Sequence, residues 1–244
     1  MAMGRKLLLL ALCFPTLLWG QQTITFTAAD GVTVTADHYV VSTQKPYLLL
    51  LHQAGYSRGE YRETAPKLAN LGFNCLAIDL RSGGEVNFVK NQTAIDATTK
   101  GLSTQYTDAM ADIQAALSYI SSRSTKPIIV IGSSYSASLA LVCATDNFRI
   151  KAVVAFSPGE YFGDKLNVKA ATQNLYVPVL AMSTALEYED MAKMLDHLNP
   201  KHLNLFKPSN GEGIHGSRAL WDRNPTSEQY WMVLTQFFSQ LNLK

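Results

Sequence analysis

Ile128, Ile129, Val130 and Ile131 are four consecutive aliphatic residues, and the run passes through Gly132-Ser133-Ser134-Tyr135-Ser136 into a second apolar stretch that begins at Ser138. A run without polar alternation is a strand covered on both faces. Such strands recur at 47–51, 73–78, 152–156 and 177–182, with a less apolar one at 203–206. Helical periods at 59–71, 105–122, 134–146, 189–198 and 227–243 fall between or after them. This rhythm predicts an α/β fold: a mostly parallel sheet of about eight strands with helices on both faces and ligands at the strands' carboxyl ends. Two more segments, 23–27 and 32–36, alternate around Asp30-Gly31 and read as an antiparallel hairpin at a sheet edge. The polar stretch 83–104 is long for a connection and is a candidate contributor to a site.

The amino terminus carries an address. Arg5 and Lys6 precede the apolar run from Leu7 to Trp19, a small residue follows at Gly20, and Gln21-Gln22 are polar. That pattern predicts a signal peptide over residues 1–20, cleaved near Gly20/Gln21, and a single domain over 21–244. The mature protein is then secreted or periplasmic, with no stable membrane association; an uncleaved anchor is the alternative. The whole chain has 21 Lys and Arg against 19 Asp and Glu, and cleavage removes Arg5 and Lys6, leaving the charges balanced. With no basic cluster, nucleic acid is not an expected partner. Cys75 and Cys143 sit in apolar segments and read as buried fillers rather than a disulfide. No metal-ligand spacing or phosphate loop appears, so no cofactor or metal is expected. Asn91-Gln92-Thr93 fits the N-glycosylation pattern.

The turn at Ser134 fits the nucleophile elbow, G-x-S-x-G, with Ser136 in place of the last glycine. A sharp strand-to-helix turn exposes the serine hydroxyl, and the helix start behind it favours developing negative charge. The plainer reading is a serine-capped turn. Four other segments fall at carboxyl ends of expected strands. They are His52-Gln53-Ala54-Gly55, Asp79-Leu80-Arg81-Ser82-Gly83-Gly84, the acids Glu187, Glu189 and Asp190 after 177–182, and Gly213-Ile214-His215-Gly216. The chain order is serine, acid, histidine.

These segments resemble the α/β-hydrolase family, in particular its small lidless members of the dienelactone hydrolase and carboxylesterase type, over nearly all of the mature chain. The resemblance implies a serine hydrolase with Ser134 as nucleophile, His215 as general base and an acid after the penultimate strand. The family's usual nine-residue step from Pro178 lands on Glu187, with Asp190 as the alternative. It also implies an oxyanion hole from the Tyr135 and Ala54 backbone N–H groups. Ser136 and Gln53 depart from family glycines. His52 is expected to shape the oxyanion loop, Asp79 to hold the loop around Arg81, and His38, His197 and His202 to be structural.

Only about twenty residues separate Phe156 from Val177, too few for a large cap domain. Tyr135, Tyr161, Phe162 and Trp221 are candidates to line an open cleft. The expected activity is hydrolysis of a small-molecule carboxylic ester. A serine peptidase of the same fold and a catalytically inert binding protein are the alternatives, and nothing in the sequence speaks to oligomeric state.

Overall fold

The computed structural model describes residues 20–243. All of the expected signal peptide except Gly20 lies outside the described residues. Strands β1 (Gln21–Thr27) and β2 (Thr33–Tyr39) form the expected edge hairpin, Thr27 opposite Thr33. The continuous apolar runs become β3 (Tyr47–Leu51), β4 (Asn74–Ile78), β7 (Ile128–Ser133), β8 (Ile150–Phe156) and β9 (Val179–Met182), with β10 (Leu203–Phe206) at the far edge. A two-stranded ribbon, β5 (Glu85–Val86) and β6 (Val89–Lys90), stands apart. The main sheet has eight strands in the order β1-β2-β4-β3-β7-β8-β9-β10. From β4 to β10 every pairing is parallel, and β2 joins that body antiparallel to β4.

The strand period of two divides each apolar run between two cores. Leu49 and Leu51 pack on one face with Ile113 and Ile120 of α3 (Ala109–Ser121), Leu139 of α4 (Tyr135–Thr145) and Leu195 of α6 (Tyr188–Leu195). Leu48 and Leu50 pack on the other with Leu68 of α1 (Thr64–Asn70) and Leu234 and Phe238 of α7 (Ser227–Gln240). All four leucines are fully buried, each stabilising the fold by about 1.5–3 kcal/mol. That rigidity holds the strands' carboxyl ends, where every candidate site residue lies.

Two helices complete the set among the described residues: α2 (Gln92–Thr99), inside the stretch expected to be irregular, and the short α5 (Val168–Ala171) after β8. The α2 segment has little apolar periodicity. It is fixed by the Asn91 side chain, which accepts from the Ala94 N–H, and by bonds to β2: Thr33 N–H donates to Asp96 and Thr35 N–H to Thr93.

Candidate active site

The elbow forms where β7 meets α4. Gly132 is required by contact: a Cβ there would lie 2.4 Å from Ala137 Cα and 2.6 Å from Ser136 O. Ser134 takes φ 60° and ψ −126°, a conformation that costs an L-residue of order 1–3 kcal/mol and recurs at functional turns. Ser136, which departs from the family glycine, is buried, and its hydroxyl donates to Leu51 O at 2.9 Å and accepts from Ser133 N–H at 3.0 Å. The substituted side chain thus ties the elbow to the end of β3. Tyr135 is the first residue of α4, so its N–H has no intrahelical acceptor. Ser134 itself is 8% exposed.

His215 leaves the last loop onto the same rim. The next residue, Gly216, packs so closely on Ser133 Oγ and Gln53 that a Cβ would sit 2.5 and 2.6 Å from them. Gly216 also has φ 73°, open to glycine at no cost. Its N–H donates to Ser157 Oγ at 3.1 Å, and Ser217 N–H donates to Ser133 Oγ at 2.8 Å. His215 Nδ1 meets Glu187 Oε1 at 2.5 Å. The other Glu187 oxygen accepts from Ser157 Oγ at 2.6 Å and Thr184 N–H at 3.2 Å. Burial raises the Glu187 carboxyl, but the His215 and Ser157 hydrogen bonds outweigh it and bring it down to about 2. With Nδ1 directed at a carboxylate, Nε2 is the ring nitrogen left to take a proton. Asp190, the alternative acid, is exposed in the first turn of α6 and has no side-chain hydrogen bond among the described residues.

The third loop follows β3. Both ring nitrogens of His52 are engaged: Nδ1 with Gln53 O at 2.7 Å, and Nε2 accepting from Leu80 N–H at 2.8 Å. Complete burial lowers its pKa to about 4, so it is neutral and fixes the loop, in keeping with the expectation. Gln53 N–H is already committed, to Glu60 Oε2 at 2.7 Å, whereas Ala54 N–H has no acceptor among the described residues.

Sequence reasoning passed over Glu60. It is fully buried, and Oε1 accepts from Ser133 Oγ at 2.7 Å and Ser217 Oγ at 2.6 Å. One carboxyl therefore joins the loop after β3, the elbow and the loop that carries His215, and burial raises its pKa. No local signal marks it, because its two serine partners lie 73 and 157 residues further along the chain.

Other expectations divide. Asp79 is structural, but its partners are Arg58 and the Gln92 N–H; Arg81 pairs instead with Asp112 and Asp30. Trp221 lies in the interior and donates to Glu60 O, away from any cleft. Asn91 is 2% exposed, and its Nδ2 donates to Leu80 O and Tyr56 O, so the folded chain has no free amide there for a glycan. His38, His197 and His202 stand away from the rim; His38 contacts Tyr47 and His197 contacts Thr172. Cys75 and Cys143 are both unpaired thiols, the first buried. Among the described residues no three His, Cys, Asp or Glu side chains converge where a metal ion could sit.

The architecture has close counterparts among solved structures. An esterase from Pyrococcus furiosus superposes with a TM-score of 0.68 at 19% identity, over 91% of each chain. A dienelactone hydrolase from Anabaena variabilis gives 0.68 at 16%, over 92% of this chain and 99% of that one. The acylaminoacyl peptidase of Pyrococcus horikoshii gives 0.63 at 14%, over 92% of this chain and 42% of the peptidase. At such identities the likeness establishes the α/β-hydrolase fold alone. A comparison with curated protein sequences finds no match. Residues 33–194, from β2 through the elbow and the Glu187 loop, match the model of the dienelactone hydrolase family, and the chain belongs to that family.

Proposed function

We propose that this hydrolase is a secreted serine esterase that cleaves small carboxylic esters through an acyl-enzyme. The observation that carries the reading is the His215–Glu187 contact, on the rim where Ser134 is held in a strained turn. His215 Nε2 takes the Ser134 proton as Oγ attacks the ester carbonyl, and Glu187 stabilises the resulting imidazolium. The oxyanion is held by the Tyr135 and Ala54 N–H groups at the start of α4 and the end of the β3 loop. Collapse expels the alcohol, which leaves with the proton from His215. Water, deprotonated by the same nitrogen, then releases the acid and restores Ser134. Among the described residues the ring-nitrogen bond of His215 is to Glu187, and a bond between such a base and its nucleophile commonly closes only around substrate.

Secretion is supported by the apolar segment before Gly20 and by the ladder that starts at Gln21, so cleavage there would spare the sheet. Among the described residues no helix is long and apolar enough to cross a membrane. The test is a fluorophosphonate probe with a panel of alkyl esters and aminoacyl amides. Labelling lost in Ser134→Ala and turnover of esters support the reading. Turnover of amides alone would make the protein a peptidase, and absence of labelling would make it a binding protein. Amino-terminal sequencing of exported protein should begin at Gln21.

A further inference from the structure

A cleft of about 330 Å³ opens between two loops, Thr104 to Thr107 after α2 and Tyr161 to Lys165 after β8, and its Tyr106 stacks on Tyr135, the residue that follows Ser134. Its walls are unusual in being aromatic and uncovered. The Tyr106 ring lies on Tyr135 with centroids 4.5 Å apart and planes at 23°, and Tyr106 is 40% exposed. Tyr161 stands opposite, 37% exposed, on a floor that includes the buried Phe162. The Tyr161 ring is placed deliberately. Gly159 clears its path, since a Cβ there would lie 2.9 Å from Tyr161 Cζ, and its hydroxyl donates to Ser157 O at 2.8 Å. Ser157 in turn donates its hydroxyl to Glu187 and accepts from Gly216 N–H, so this wall of the cleft is tied to the residues around His215. No carboxylate lines it, and its one cation, Lys165, is turned onto Gln105.

We propose that this cleft binds an aromatic ring of the substrate, making the protein an esterase selective for aryl- or arylalkyl-bearing esters; this rests on the serine-esterase reading above. A cavity of about 150 Å³ holds a benzene, so the volume admits one ring and a short linker to the ester carbonyl. Two part-exposed tyrosine rings offer a substrate ring stacking or edge contacts beyond its burial, worth about 0.5–1.5 kcal/mol. That converts to about two- to tenfold over a puckered ring of equal carbon count.

The test compares kcat/KM for ethyl phenylacetate with ethyl cyclohexylacetate, and for phenethyl acetate with cyclohexylethyl acetate, so that the ring sits on either side of the ester. In the wild type at least one phenyl-to-cyclohexyl ratio should be about two to ten. Tyr106→Leu, which keeps apolar volume but not the flat face, should bring that ratio to about one, and Tyr106→Phe should keep it. A wild-type ratio at or below one in both pairs, with Ser134 labelled by a fluorophosphonate, overturns the aromatic cleft and leaves the esterase. Loss of the preference in Tyr106→Phe, or its persistence in Tyr106→Leu, also overturns it. Absence of labelling overturns the esterase reading itself.

Discussion

Glu60 should be the most consequential side chain outside the reacting groups. In Glu60→Ala three buried donors, Ser133 Oγ, Ser217 Oγ and Gln53 N–H, lose their acceptor. Each such loss costs about 1–3 kcal/mol, while removing a buried carboxyl offsets about 2–3 kcal/mol. The net is about 3 kcal/mol, a large part of the 5–15 kcal/mol that holds a typical domain. Glu60→Gln keeps one oxygen for Gln53, and its amide can donate to hydroxyls that rotate, so about 1–2 kcal/mol is expected. Urea unfolding at fixed pH measures both.

The pH dependence of that difference has a definite sign. Because burial raises the folded carboxyl above its ordinary 4.5, the native state holds the proton longer than the unfolded chain. The advantage of wild type over Glu60→Gln is therefore full below 4.5 and shrinks as pH rises through the folded value. Turnover should fall about 10- to 100-fold in either variant, since the loops that carry Ala54, Ser134 and His215 all hang on this group. A Glu60→Ala protein within about 0.5 kcal/mol of wild type and fully active, or a stability difference that widens with pH, would refute the reasoning.

Ser134→Gly should lose all turnover yet gain about 1 kcal/mol in urea unfolding, because the strained φ is relaxed at a smaller entropic cost; a destabilised Gly variant would count against strain at the elbow. Glu187→Gln should lower kcat by about 10³–10⁴, while Asp190→Asn should leave it nearly unchanged; the reverse pattern would transfer the acid to Asp190. The stability that Glu187 contributes should be fully present above 4.5 and fade as pH falls toward about 2, so wild type and Glu187→Gln should converge in acid melts. Mass spectrometry of protein made in a glycosylating host should find Asn91 unmodified, because its amide is buried and bonded; a glycan there would mean attachment before folding.

Residues whose environment is set by near neighbours in sequence could be read without coordinates. The aliphatic runs at Leu48 to Leu51 and Ile128 to Ile131 declare strands covered on both sides, and Gly132-x-Ser134 declares the turn between one of them and a helix. Glu187 was reachable through the family's nine-residue step from Pro178, which lands between β9 and α6. Helix α2 was not, because Gln92-Thr93-Ala94-Ile95 carries no stripe and Ile95 is half exposed; its order comes from bonds to Thr33 and Thr35 of a strand far upstream. Glu60 escaped for the same reason on a larger scale: its two serine partners lie 73 and 157 residues away. The Asp79 loop shows the limit of local pairing, since the nearby Arg81 turns to Asp112 and the distant Arg58 takes its place.

The strand order has a consequence for how the chain is made. β3 lies between β4 and β7, with Tyr47 opposite Asn74 on one side and Ile128 on the other. Its four leucines remain half uncovered until the polypeptide has been extended past Ser133, and the second core waits for α7 at the very end. Parallel pairings between such distant segments form slowly, so no compact intermediate of the amino-terminal half has a closed core to stop at. Until then the apolar 48–51 segment is the stretch left open to misassociation.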